Sequence, residues 1–196
     1  FLVSLGHKPF RATQIFEWIY RRGVINFSDM SNINKEALKE LEEQFKFSSL
    51  QIDSVQLSKD GTRKYLFRLE DNNLIEAVLM RHNYGYSICV STQVGCNMGC
   101  KFCASGLNKR ARSLEVHEMV LQVLIVNNLL REESLRISHV VIMGIGEPFD
   151  NYDNLIDFIK IINDPKGLEI GARHITVSTC GIVPKIYKFS ELGLQV

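Results

Sequence analysis

Four of the chain's five cysteines fall in one short stretch, Cys89–Cys103, which reads CVSTQVGCNMGCKFC. The last three, Cys96, Cys100 and Cys103, are spaced C-x3-C-x2-C, with Gly95, Gly99 and Gly106 around them. Glycine tolerates the backbone turns that aim several side chains at one centre. The run Tyr86–Ser91 ahead of the set alternates like a strand, so the thiols are expected on the loop at its end. Three thiolates suit a soft centre, iron–sulfur or zinc. They are also one ligand short of a closed site, and a [4Fe–4S] cluster held by three leaves one iron open for substrate chemistry. Structural zinc sites use two cysteine pairs, or cysteine pairs with histidine pairs. One such pairing is present, no histidine lies between Cys89 and Cys103, and Cys89 as a fourth ligand keeps the zinc reading open. A disulfide is the third reading, with no signal peptide or secreted context behind it.

C-x3-C-x2-C with Phe102 just before the last cysteine resembles the radical S-adenosylmethionine (SAM) superfamily. Three blocks are more specific: CVSTQVGCNMGCKFCASG, VVIMGIGEPFDNYDNL and RHITVSTCGIVPKI. They resemble the bacterial RNA adenine-C2 methyltransferases. These act on one adenosine at the peptidyl-transferase centre of 23S ribosomal RNA and on one in the tRNA anticodon loop. The resemblance runs from about Gly6 to Val196.

With 23% charged residues, a net charge of +1 and no apolar run near the ~20 residues of a membrane span, the composition is that of a soluble protein. Metal-like cysteine spacing without an export signal points to a reducing cytoplasm. The chain starts at Phe1 and stops at Leu194-Gln195-Val196 as if entering another strand. It therefore reads as a fragment, and the resemblance implies about half a barrel more.

Residues 1–48 read as a small helical unit. Ile15, Phe16, Ile19 and Tyr20 form one apolar stripe; Asn34 is the expected N-cap of a second helix that buries Ala37, Leu38, Leu41 and Phe45. The resemblance makes this unit an RNA-binding accessory, with Arg11, Arg21 and Arg22 as phosphate contacts; otherwise those charges are a solvated face. Residues 49–85 read as a linking β meander, Gln51 to Leu57, Lys64 to Leu69 and Leu74 to Met80, with turns at Lys59–Gly61 and Glu70–Asn73. Its third strand carries one acid, Glu76. On residues alone that is the solvent face of an edge strand; the resemblance makes it the proton acceptor, thirteen residues before Cys89.

From residue 86 to 196 the pattern is strand, helix, strand, helix, strand, helix. Parallel βα units follow, in a barrel or a doubly wound sheet. The resemblance selects the N-terminal half of a radical SAM barrel, about three βα units. In either fold function lies beyond the C-terminal strand ends, where the cysteines, Gly146, Glu147 and Ser178 fall. GIGEPF is a weak dinucleotide loop, since Phe149 occupies the third glycine position. The resemblance reads Gly146, Glu147 and Ser178 as SAM contacts; Ser178 is otherwise a hydroxyl that satisfies its own backbone. Lys109, Arg110 and Arg112 are a candidate phosphate patch. Cys180 is expected to be buried and inert, and His117, His139 and His174 structural.

Carbon 2 of adenine is not nucleophilic, which disfavours polar methyl transfer. The resemblance implies instead a radical route with a [4Fe–4S] cluster and SAM. A methylated cysteine near the C-terminus, Cys89 as the cysteine that resolves the protein–RNA adduct (with a transient disulfide) and Glu76 as the base complete it. The methyl-carrying cysteine has no counterpart here, so this stretch alone is expected to be inactive. A monomer served by a reducing donor such as flavodoxin is the implied setting. Three alternatives stay open: methylation at carbon 8 of the same rRNA adenosine, a small-molecule radical SAM enzyme, and a non-enzymatic zinc-ribbon RNA-binding module.

Overall fold

The apolar stripe of the N-terminal segment folds as helix α1 (Phe10–Phe16), extended by one π turn over Glu17–Arg21. Gly23, at φ +73°, ends it in the left-handed conformation that glycine adopts without strain. The computed structural model describes residues 1–194 and 196. Helix α2 (Lys35–Gln44) follows, with Asn34 at the N-cap position. The Asn34 amide does not cap; it bonds Glu36 Oε2 at 2.9 Å. Ala37 and Leu41 are buried with Phe27, Met30 and Ile33 in a small core of their own. Phe45, expected on that face, is exposed: the helix ends at Gln44, the chain turns extended, and the ring meets Phe1 edge-on at 4.9 Å.

Six strands then make one sheet. β1 (Gln51–Leu57), β2 (Arg63–Arg68), β3 (Leu74–His82) and β4 (Gly85–Cys89) run as an antiparallel meander. A two-stranded clip, β5 (Gln93–Val94) with β6 (Arg112–Ser113), brackets the cysteine loop. Helix α3 (Val116–Glu132) leads to β7 (Ile137–Ile142), and α4 (Tyr152–Asn163) leads to β8 (Ile175–Val177) and α5 (Val183–Ser190). The sheet order is β1-β2-β3-β4-β7-β8, with β4, β7 and β8 parallel. The meander therefore continues into the βα units without a break, and β3, which carries Glu76, is an interior strand rather than an edge.

Alternation decides which face is core. Tyr65, Phe67, Ile75, Ala77, Leu79, Ile88, Val140, Ile142 and Ile175 are buried together with the apolar sides of α3 and α4. The opposite face, with Lys64, Glu76, Val78, Cys89 and Val141, is half-open. A sheet covered on one face by its crossover helices is the wall of a partial (β/α) barrel, whereas a doubly wound sheet carries helices on both. Helix α3 starts with a capping box, Glu115 N–H donating to Glu118 Oε2 at 2.8 Å. The third parallel strand is shorter than its sequence pattern suggests, leaving Ser178 just past its end, with its N–H 3.3 Å from the Ile142 carbonyl.

Candidate active site

The cysteine loop is an excursion on a hydrogen-bonded neck. Going out are Gln93–Cys96 and coming back Asn108–Leu114. They are tied by Cys96 N–H to Asn108 O (3.0 Å), Ala111 N–H to Val94 O (2.8 Å) and Leu114 N–H to Thr92 O (2.9 Å). Gly95, at φ +74°, is required here, because a Cβ would stand 2.3 Å from the Lys109 carbonyl. Beyond the neck the loop is open: Cys96 and Cys100 are half-buried, Cys103 exposed and Phe102 95% exposed. Hydrogen bonds from the Ser105 hydroxyl and backbone hold the Cys103 thiol below its ordinary range. All three cysteines are free thiols, and together they form the donor set a cluster with one open iron requires. Among the described residues, no three Cys, His, Asp or Glu side chains are gathered closely enough to hold an ion. The residues fit a cluster by their chemistry and placement; their side chains are not drawn together.

Cys89 is the last residue of strand β4, opposite Val78, within the run that alternates as a strand. Since paired residues share a face, Cys89 and Glu76 stand on the same half-open side of adjacent strands. Burial pushes the Cys89 thiol up, offset in part by the N–H of Met143. The Glu76 side chain is 41% exposed and bonds Lys64 Nζ at 3.1 Å. Its backbone carbonyl accepts from Ser91 Oγ at 2.6 Å, and that hydroxyl oxygen accepts from Ile145 N–H at 3.0 Å. One buried serine thus registers β3 against the turn after β7.

That turn is tight where the cysteine loop is open. A Cβ on Gly144 would stand 2.7 Å from the Val90 carbonyl, and Gly146 is at φ +109°. Glu147 is buried, and its carboxylate accepts from Phe149 N–H (2.9 Å), Thr179 Oγ1 (2.7 Å) and Cys180 N–H (2.7 Å). It thereby joins the strand end of β7 to that of β8. Three of its roughly four acceptor positions are taken by the protein.

Cys180 is exposed, not buried. Its thiol is pushed up to about 11 by surrounding atoms that exclude water, then by Glu147, and then by Cys100 and Cys96. It lies at the tip of a short β8, past the packed layer, which is why the core leaves it out. Ser178 is exposed beside it. His139 stacks on His174 at 4.2 Å, and Tyr84 lies between His139 and His82, at the opposite end of the strands.

The basic residues divide. Arg112 is bound on both sides, to Asp71 Oδ2 at 2.6 Å and to Glu118 through two bonds of 2.7 Å. Arg110 pairs with Asp150. Arg11 bonds Gln14 Oε1 and the Asn32 carbonyl, Arg22 lies over the Trp18 ring at 3.9 Å, and Arg21 is 3.9 Å from Glu169. Lys109 is exposed and makes no ion pair among the described residues. A groove of about 740 Å³ runs between residues 45–50 and α3, on the side of the sheet away from Glu76 and Cys89.

A partial barrel whose first parallel strand ends in a three-cysteine loop, with a GEP turn at the next strand end, defines a class of enzyme. The chain belongs to the radical SAM superfamily, whose family model matches residues 90–196. With that family come its cofactors, a [4Fe–4S] cluster and SAM. Residues 1–46 match the ribosomal RNA large subunit methyltransferase N-terminal domain. Probable dual-specificity RNA methyltransferases RlmN are similar throughout. The relative in Enterococcus faecalis is 58% identical, over 97% of this chain and 54% of its own length; that of Shouchella clausii is 56% identical, over 100% and 55%. The chain spans about half the length of these curated relatives. The crystal structure of a radical SAM methyltransferase from Sphaerobacter thermophilus superimposes with a TM-score of 0.91 at 38% identity, covering 100% of this chain and 57% of that one. No helix is long and apolar enough to cross a membrane among the described residues.

Proposed function

We propose that the chain is part of an enzyme that methylates carbon 2 of an adenosine in 23S ribosomal RNA and in the tRNA anticodon loop. Cys96, Cys100 and Cys103 hold the cluster as thiolates, on a loop whose neck is fixed and whose tip is free to close. When bound, the cluster supplies the electron that starts radical chemistry from SAM. Gly146 and Ser178 offer backbone and hydroxyl to SAM at two neighbouring strand ends. Glu147 keeps those ends in register, with one acceptor position left for a ligand amine.

The observation that carries the reading is the shared face of Glu76 and Cys89. They are diagonal cross-strand neighbours, about 7–8 Å apart in backbone terms, below the cysteine loop. A proton acceptor and a thiol so placed can address one atom of a base laid across the face. Lys64 orients the carboxylate, and burial favours the neutral thiol of Cys89. Around the loop mouth, Lys109 and Lys101 are exposed cations without an ion pair among the described residues and open to phosphate, with Arg22 on the N-terminal unit; Arg110 and Arg112 hold the fold. The setting is a monomer in the cytoplasm, reduced by a donor such as flavodoxin and acting on rRNA and tRNA.

Anaerobic reconstitution with iron and sulfide tests this. The expected result is a brown protein with near four irons, a visible spectrum that responds to SAM, and loss of both in Cys100→Ala. Mass spectrometry of nucleosides from tRNA and rRNA hairpins methylated by the full-length enzyme then reads the carbon. A colourless zinc protein, or 8-methyladenosine, refutes the reading.

A further inference from the structure

Between Cys89 and the first loop cysteine lies Ser91-Thr92-Gln93, a polar run at the end of the strand-like segment that a pattern of hydrophobicity passes over. All three are buried, Gln93 at 0% exposure. Its Oε1 accepts the Glu147 N–H at 3.0 Å, and its Nε2 donates to Ser113 Oγ at 3.3 Å and to Asp150 Oδ2 at 3.2 Å. Its own N–H reaches the Ile145 carbonyl at 3.1 Å. A Cβ on Gly146 would stand 2.6 Å from Gln93 Cβ, so the side chain fills the space under that glycine. Asp150 in turn pairs with Arg110 on the return arm of the cysteine loop. One buried amide thus touches the outgoing arm, the return arm and the turn that carries Gly146 and Glu147. A residue that both donates and accepts, without charge, is needed there: an aliphatic side chain would orphan a buried N–H, and a carboxylate would face Asp150.

We propose that Gln93 is a positioning residue that sets the Gly146–Glu147 turn against the cysteine loop, and thereby governs SAM binding rather than cluster assembly. This rests on the reading of that turn as the SAM contact. The cysteines reach the neck through backbone bonds that Gln93 does not make, so the loop closes without it. The turn's distance from the loop, by contrast, passes through its side chain.

The test is a double-mutant cycle in the full-length chain, reconstituted anaerobically. Gln93→Glu keeps the acceptor for Glu147 N–H but opposes Asp150 with a second carboxylate; Asp150→Asn turns that partner into a donor. Iron and sulfide content, the spectral and paramagnetic response to titrated SAM, and the thermal midpoint are read for each. The expected result is unchanged iron, SAM affinity weakened about tenfold in Gln93→Glu, the equivalent of one charge-linked hydrogen bond, and recovery in the double variant. Ser113→Ala removes one acceptor and no backbone contact, and carries the test if Gln93→Glu does not accumulate: SAM binding falls about two- to threefold at full iron content. Unaltered SAM affinity in both variants overturns the proposal, as does iron loss that tracks the affinity loss. If the unsubstituted protein holds its cluster but ignores SAM, the cofactor reading itself fails, and the role of Gln93 with it.

Discussion

Two loops leave the same end of the sheet and are built in opposite ways. The loop after β4 carries reactive groups and ties none of them to the rest of the sheet: its cysteines are free thiols, Phe102 is almost fully exposed, and beyond the neck its bonds are local, such as Cys103 N–H to Cys100 O and Gly106 N–H to Cys103 O. The turn after β7 carries one charged group and commits it, with three protein donors on the Glu147 carboxylate. A ligand that forms several strong bonds to thiolates can supply its own organisation, so the fold need only bring the donors within reach. A ligand held by backbone and a few hydrogen bonds supplies little, so its contacts have to be set in advance. On the proposed reading the first loop is completed by what it binds, whereas the second is complete already.

The sharpest way to break that contrast is to remove one member of each. Cys100→Ala should reduce retained iron from near four per chain to near none after anaerobic reconstitution, while the cluster-free protein unfolds within about 0.5 kcal/mol of the unsubstituted one, as expected for a side chain with no partner. Equal destabilisation would show that the thiol is packed, not waiting. Glu147→Ala should behave in reverse. It strands the Phe149 and Cys180 N–H groups and the Thr179 hydroxyl, at about 1–3 kcal/mol for each that water cannot reach. Some 3 kcal/mol is expected in urea unfolding, with Cys180 regaining a water because it is exposed.

The same contrast explains what the amino-acid sequence discloses. Strand alternation in β2 and β3 and the three βα units are local patterns, and so is the cysteine spacing; all of these are legible. The commitments are not, because they join residues far apart: Glu147 to Cys180, Gln93 to Glu147, Arg112 to Asp71. Arg112 reads as one more cation in a basic run, yet its partners are a turn of the β meander and the first turn of α3. Cys180 reads as buried because it follows an apolar strand, and the strand stops short. The two-residue clip has too few positions for any period to show. Phe45 carries helical spacing one residue beyond where the helix ends. The family resemblance singles out Glu76, and the register places it on the face of Cys89, where alternation alone leaves it on a solvent face.

A smaller test concerns the neck. Arg112 holds Asp71 at a pKa of about 2, first through its hydrogen bond to that carboxylate. A carboxyl depressed below its ordinary ~3.9 contributes stability above that pH, and the contribution is lost as the pH falls toward 2. The Arg112 and Asp71 side chains are 31% and 40% exposed, so the pair is worth less than about 1 kcal/mol. Urea midpoints of the unsubstituted protein should therefore decline more steeply between pH 4 and 2 than those of Asp71→Asn. Parallel declines would mean that solvent already screens the pair.

The smallest expected effect concerns the return arm of the open loop and asks whether an unpaired cation there meets RNA at all. Lys109 is exposed beside the neck and has no carboxylate partner among the described residues, whereas Arg110 one residue on is paired with Asp150. A free ammonium near a phosphate releases a counterion on binding; a guanidinium already paired gains less, because it must first give up its acid. Lys109→Ala should weaken retention of a tRNA anticodon hairpin about two- to threefold near 0.1 M salt, and lower the slope of log affinity against log salt by about 0.7, the release expected for one phosphate on a single strand. Arg110→Ala should change that slope less and reduce thermal stability more. If the two exchange roles, Arg110 swings off Asp150 to reach RNA, and the neck of the cysteine loop would itself be a substrate-dependent joint.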